Sequence, residues 1–184
     1  MIRLVVLLCC FCFCANGQVK KYDQFELKEG DVVWKNSYPH FANRDSLRAA
    51  VVQMLKSKFY TFNVIRNEVG YNGELRHYKV DCKGYGRNYL NTPRMYWEGE
   101  WTGKFIVEIK ENEYVVTVYA LYYESPKPST DYYRTEKQVK GRYLDAVTKK
   151  DRSFFLKREL SNLSLMNLSL KDAFKLSSTP YINN

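Results

Sequence analysis

The chain has 184 residues, a formal net charge of +9 and five cysteines, and it carries no internal repeat or low-complexity segment. That length suffices for one domain that buries somewhat over two-thirds of its unfolded surface. Four of the cysteines crowd into Cys9, Cys10, Cys12 and Cys14, which leaves Cys82 alone and excludes a disulfide-built scaffold.

Arg3 places a positive charge ahead of the unbroken apolar run Leu4–Phe13. Ala15-Asn16-Gly17 then sets small residues at the minus-three and minus-one positions of a cut before Gln18. This is the charged, apolar, small-x-small order of a secretory signal peptide over residues 1–17. An apolar run of about ten residues falls short of the roughly 20 that a spanning helix needs. The clustered cysteines read as small apolar residues of that segment. They have no His or carboxylate at ligand spacing, and Phe13 before Cys14 fits a lipidated cysteine badly. The expected mature chain runs from Gln18 to Asn184 with a charge of +8. In a cytosolic protein that charge would suggest nucleic acid. In an exported one it suits anionic envelope surfaces, or solubility alone.

Residues 18–30 are polar and are expected to be a loosely held entry strand or tail. Val32–Tyr38 has strand composition and ends at Pro39. In ANRDSLRAAVVQMLKSKF, Leu47, Val51, Met54 and Leu55 form one stripe of helical period, which predicts a helix over 44–59. Asn43 or Asp45 can cap it, and Lys56 and Lys58 suit its negative end. Four strands are expected next: 61–69, 74–82, 98–110 and 113–124, with Tyr71-Asn72-Gly73 as a turn. In the third, Trp101, Gly103, Phe105, Val107 and Ile109 share one face. The fourth, EYVVTVYALYYE, is apolar on both faces, as a central strand would be. Two long connections, KGYGRNYLNTPRMYW and SPKPSTDYYRTEKQVKGR, have the length of functional loops. Leu156, Leu160, Leu163, Leu170 and Phe174 then align at helical spacing, with Asp151 as a cap and a break near 164–169. The tail 177–184 is expected to fray.

The order strand, helix, four strands, helix predicts an α+β domain over 31–176, with one curved antiparallel sheet and both helices on its inner face. The Val32–Tyr38 strand, the helix SLRAAVVQMLKSKF and the pair GKFIVEIKENEYVVTVYALYYE resemble a family of exported bacterial domains common in Bacteroidetes. That resemblance covers roughly residues 30–125 and rests on apolar alternation. It implies a TATA-binding-protein-like (TBP-like) fold and an exported address, with no activity or functional residue to carry over.

No side-chain constellation points to catalysis. His40 and His77 lie 37 residues apart without partners at ligand spacing. Cys82 lacks a Cys–His motif and reads as a buried thiol. Gly84-Tyr85-Gly86 lacks the Gly-Lys-Ser/Thr of a phosphate loop. Asn162-Leu-Ser and Asn167-Leu-Ser match the glycosylation sequon on a predicted helix. No catalytic residue, metal or cofactor is assigned. Tyr71, Tyr78, Tyr85, Tyr89, Tyr96, Trp97 and Trp101 interleave with Arg76, Arg87 and Arg94. Aromatic faces with Arg can hold sugars, peptides or a partner surface, although small β-domains also place Tyr at half-buried positions. The expectation is an exported, non-enzymatic envelope module that binds an envelope protein or glycan through Tyr85, Arg87, Tyr89, Arg94 and Tyr96. The rival is a carrier of an apolar or glycan ligand in a pocket lined by Trp101 and Phe105. Export argues against nucleic acid, and fold alone transfers no function.

Overall fold

The computed structural model describes residues 19–40, 43–59, 65–66, 70–124 and 140–176. The expected signal peptide, most of the strand expected over 61–69, residues 125–139 of the second long connection and the tail 177–184 lie outside them.

Of the two readings of the entry segment, strand or tail, the structure has strand. Its residues make strands β1 (Lys21–Tyr22) and β2 (Phe25–Lys28), which pair with each other and with β3 (Asp31–Pro39). The segment is polar, but it carries Phe25, which is fully buried with its ring edge against Tyr143. Helix α1 spans Arg44–Lys58. Asn43 caps it, its side-chain oxygen accepting the Ser46 N–H at 2.8 Å. Leu47, Val51, Met54 and Leu55 are buried, as their spacing predicts.

β4 (Ile65–Arg66) pairs with β5 (Gly70–Tyr78), so Tyr71-Asn72-Gly73 is strand and not turn. The short helix α2 (Arg94–Trp97) precedes β6 (Glu100–Ile109) and β7 (Glu113–Glu124). The Glu111-Asn112 link joins the last two as neighbours. β8 (Lys140–Arg142) runs into α3 (Tyr143–Val147). After a 3₁₀ turn at Lys157–Glu159, α4 spans Leu160–Phe174 without a break. Asp151 therefore does not cap it; its carboxylate accepts the Ser153 N–H in the preceding loop.

All pairings are antiparallel, in the order β1-β2-β3-β7-β6-β5-β4, with β8 beside the far end of β7. The order of elements is thus richer than strand-helix-four strands-helix, but the class is α+β. β7 is the central strand. Val116, Val118 and Leu121 on it are buried together with Trp101, Phe105, Val107 and Ile109 on β6. Phe59, just past α1, touches both Phe105 and Phe174 with ring centroids 5.7 and 5.1 Å away, which puts both long helices on this face.

Two β-bulges interrupt the ladders, at His77 on β5 and at Ala120 on β7, both with positive φ. A bulge bends its strand and leaves backbone groups unpaired. At Ala120 the loose N–H donates to the Asp31 carboxylate at 2.9 Å, at the point along β7 where pairing with the start of β3 gives way to pairing with the end of β8. Arg142 closes the junction by donating to the Gly30 carbonyl at 3.0 Å.

α4 buries most of its surface, with Leu163, Leu165, Met166, Leu170 and Phe174 in the core. Its buried polar positions are hydrogen-bonded. Asn167 accepts the Trp34 indole N–H at 2.8 Å, Asn162 donates to Glu159, and Ser169 bonds the Tyr78 hydroxyl. Both sequon asparagines are therefore buried in the folded domain. The carbonyls in the last turn of a helix lack intrahelical donors. Here Tyr38 donates to Lys171 C=O, Lys58 to Asp172 C=O and Tyr114 to Phe174 C=O.

Candidate functional site

The loop between β5 and β6 holds all five residues expected to bind a partner, and the structure separates them. Tyr96 is the clear correction: it is 1 % exposed, and its hydroxyl donates to Tyr143. Burial pushes the Tyr96 hydroxyl far above the usual tyrosine range, so it acts as a neutral core residue. Tyr85 and Arg87 are half-buried and fasten the loop to α4. Tyr85 donates to the Asp172 carboxylate, and Arg87 donates to the Ser161 carbonyl at 2.6 Å. Burial, then the Asp172 bond, raises the Tyr85 hydroxyl beyond its ordinary value. Only Tyr89 and Arg94 are exposed.

These two converge on one carboxylate. Tyr89 donates to Glu98 at 2.8 Å and Arg94 to the same carboxylate at 2.5 Å. The Arg94 bond, with help from Tyr89, holds the Glu98 carboxyl below its ordinary value. The Trp97 indole N–H donates to Asn88 C=O at 3.2 Å, and the Asn88 side chain accepts the Asn91 N–H at 2.9 Å. Tyr89 and Trp97 lie 6.0 Å apart, centroid to centroid. Leu90 stands at the tip of this bonded frame with 92 % of its surface exposed. Reading the sequence for aromatic and Arg residues passed over this leucine. Its signal was an apolar residue flanked by turn-forming Asn88, Asn91 and Pro93.

The residues named for a carrier pocket sit elsewhere. Trp101 is fully buried, with the rings of Tyr96, Tyr123 and Tyr143 at 5.5, 5.7 and 5.2 Å. Phe105 is fully buried between Phe59 and Phe174. A cleft of ≈ 260 Å³ opens instead on the helix-free face at the two bulges, lined by Glu74, Arg76, His77, Thr102, Lys104 and Tyr122. Beside it His77 and Lys79 both reach Glu100, at 2.6 and 3.4 Å. The His77 side chain is 78 % exposed, so this is a solvated surface pair worth at most about 1 kcal/mol.

His40 follows β3, its N–H donating to Asn112 C=O at 2.8 Å. Cys82 is buried, its thiol donating to Tyr96 C=O at 3.3 Å. Burial, then the Asp81 charge, pushes that thiol up, which opposes nucleophilic use. Among the described residues no cluster of three His, Cys, Asp or Glu side chains could hold a metal, and no helix is long and apolar enough to cross a membrane.

No family model and no curated protein matches the chain. Among solved structures, a TBP-like protein from Parabacteroides distasonis is similar, with a TM-score of 0.47 and 13 % identity over 83 % of this chain and 97 % of that one. A likeness of that degree carries no conclusion about family or function, and the α+β class rests on the sheet and helices themselves.

Proposed function

We propose that the chain is an exported, non-enzymatic binding module of a bacterial envelope, and that the tip of the β5–β6 loop is its contact surface. The observation that carries this reading is Leu90, 92 % exposed on a loop whose flanks are held by side-chain hydrogen bonds. A free leucine side chain in water forgoes roughly 1.5–3 kcal/mol of burial. A frame that keeps it there is preorganised for contact, because docking then costs little ordering entropy. The dispersal of His40, His77 and Cys82 over separate elements supports a non-enzymatic role. Ring contacts around Trp101 and Phe105 favour this reading over a carrier, whose pocket would need that space. The finer fold assignment, a curved TBP-like sheet, belongs to the same proposal and draws support from the two bulges.

Two measurements test the reading. Amino-terminal sequencing of protein recovered from its host is expected to start at Gln18; a start at Met1 would remove export. A photoreactive residue at position 90 is expected to cross-link to envelope material, while one at the exposed position 56 on α1 is not. Equal yields at the two positions would remove the loop as the contact surface.

A further inference from the structure

We infer that the helix-free face of the sheet is the interface of a symmetric dimer of this chain. This goes beyond the loop reading, since the β5–β6 loop is fastened to α4 on the other side of the sheet. The strand register carries the inference. Lys21 on β1 stands opposite Glu26 on β2, and Glu26 opposite Val33 on β3. From the other edge, Glu74 on β5 stands opposite Lys104 on β6, and Lys104 opposite Tyr119 on β7. Trp34 pairs with Val118, so Val33 and Tyr119 occupy the next position on the two central strands. Alternation turns these residues away from the core, because their neighbours Phe25, Trp34, Val118, Phe105 and Leu75 are buried in it. One row across the sheet therefore reads Lys21, Glu26, Val33, Tyr119, Lys104, Glu74: cation, anion, two half-buried apolar residues, cation, anion.

Such a row is complementary to itself. A two-fold axis parallel to the strands, between β3 and β7, reverses it in a second copy. Glu26 of one copy then faces Lys104 of the other, Lys21 faces Glu74, and Val33 faces Tyr119. The symmetry makes each contact twice, and no like charges meet along the row. Stacked sheets lie about 10 Å apart, a gap that a Lys and a Glu side chain span together. Among the described residues no ion pair takes up Lys21, Glu26 or Lys104, whereas Glu74 also holds Arg76 at 2.7 Å. The Glu26–Lys104 contact therefore carries the pairing. Composition and size agree. Val33, Ile106, Thr117 and Tyr119 are half-buried and Val115 is buried on this face, an apolar centre within a charged rim as interfaces have. Six strands about 4.8 Å apart, taken over the length from Val115 to Tyr122 at about 3.4 Å per residue, give roughly 700 Å². A specific interface takes about 600–1,000 Å² from each partner. In the adjoining row the buried oxygens Gln24 Oε1 and Asn72 Oδ1 find no donor among the described residues. Buried acceptors are rarely left so in a complete assembly.

The test is the mass in solution of the chain from Gln18, by sedimentation equilibrium. A dimer is expected at about 10 µM protein. Glu26→Lys and Lys104→Glu each set like charges against each other across the axis, and each is expected to weaken the dimer at least tenfold. Both positions are exposed, so each variant should melt close to the parent. An equimolar mixture of the two variants restores opposite charges at both copies of the contact. Its dimer is expected within about threefold of the parent, a recovery that a misfolded variant could not give. Lys56→Glu makes the same charge change on the exposed side of α1 and should leave the dimer as it was. A monomer at about 100 µM, a dimer indifferent to both single changes, equal loss in Lys56→Glu, or a loss that mixing folded variants does not reverse would each overturn the inference. Any of these leaves the loop reading standing, since cross-linking at position 90 tests it separately.

Discussion

Removing one oxygen tests how the last helix is held. Tyr114 is 2 % exposed; its hydroxyl donates to Phe174 C=O at 2.9 Å and accepts the Leu176 N–H at 3.2 Å. Tyr114→Phe keeps the ring and its stack on Tyr38, whose centroid is 4.7 Å away and whose plane is within 6°. The substitution strips the hydroxyl alone. Phe174 C=O lies in the last turn of α4 and has no intrahelical donor, so it is left buried and unpaired. That costs about 1–3 kcal/mol. Leu176 is half-exposed, and water can replace its partner, so it adds little. In a domain of this size 1 kcal/mol moves the Tm by about 2–4 °C. The variant is therefore expected to melt roughly 2–12 °C lower, with an unchanged denaturant slope. Tyr89→Phe is the control, since it loses a 2.8 Å hydrogen bond on an exposed residue. It should cost no more than about 0.5 kcal/mol. Equal midpoints for the two variants would refute the view that core hydroxyls cap α4.

Other expectations concern pH, the helix face and the bulge. Burial pushes the hydroxyls of Tyr78 and Tyr114 up to about 12. A phenol raised above its unfolded value of about 10 keeps its proton longer in the folded chain. Its stabilisation is complete below about pH 10 and is lost as pH rises from there towards 12. Denaturation midpoints measured over that window should fall, and less steeply for Tyr114→Phe; a flat limb would contradict the burial argument. Leu55→Ala should cost roughly 2–5 kcal/mol, as buried truncations do, whereas Lys56→Ala should stay within about 0.5 kcal/mol. Equal costs would place the wrong face of α1 inward. Ala120 has φ +50, and its N–H depends on Asp31. Ala120→Gly should then be neutral or stabilising by up to about 1 kcal/mol, and Asp31→Ala destabilising by about 1–2 kcal/mol. Chemical denaturation of both variants checks this pair, and a destabilised Ala120→Gly would contradict it.

What the sequence revealed depended on periodicity. α1 and β6 were legible because each has one buried face, so apolar residues recur at the period of the element, and β7 was legible as a central strand because it is apolar on both faces. Tyr71-Asn72-Gly73 misled because Asn-Gly is a strong turn signal. In the fold Gly73 serves packing: a Cβ there would meet the Phe105 ring at 2.6 Å, and one at Gly70 would meet the Val107 carbonyl oxygen at 1.8 Å. The Ser and Asn residues of α4 suggested a break, since their side chains compete for backbone bonds. Partners from distant strands remove that competition, as Trp34 does for Asn167. Such partners leave no local trace. The candidate loop has no period at all, so nothing in its sequence separates the inward Tyr96 from the outward Tyr89.

The enclosure of α4 sets the timing of folding. The Trp34–Asn167 and Tyr38–Lys171 bonds each span 133 residues of chain. Contacts of that separation require closure of a long loop before they return any stability, which slows folding. A nascent chain that has not yet produced residues 160–174 can pair its central strands. It still leaves Trp34, Phe59 and Phe105 without Phe174, and such open sheets are prone to association. The domain therefore closes late and at its far end, only once residues 160–174 have joined the sheet.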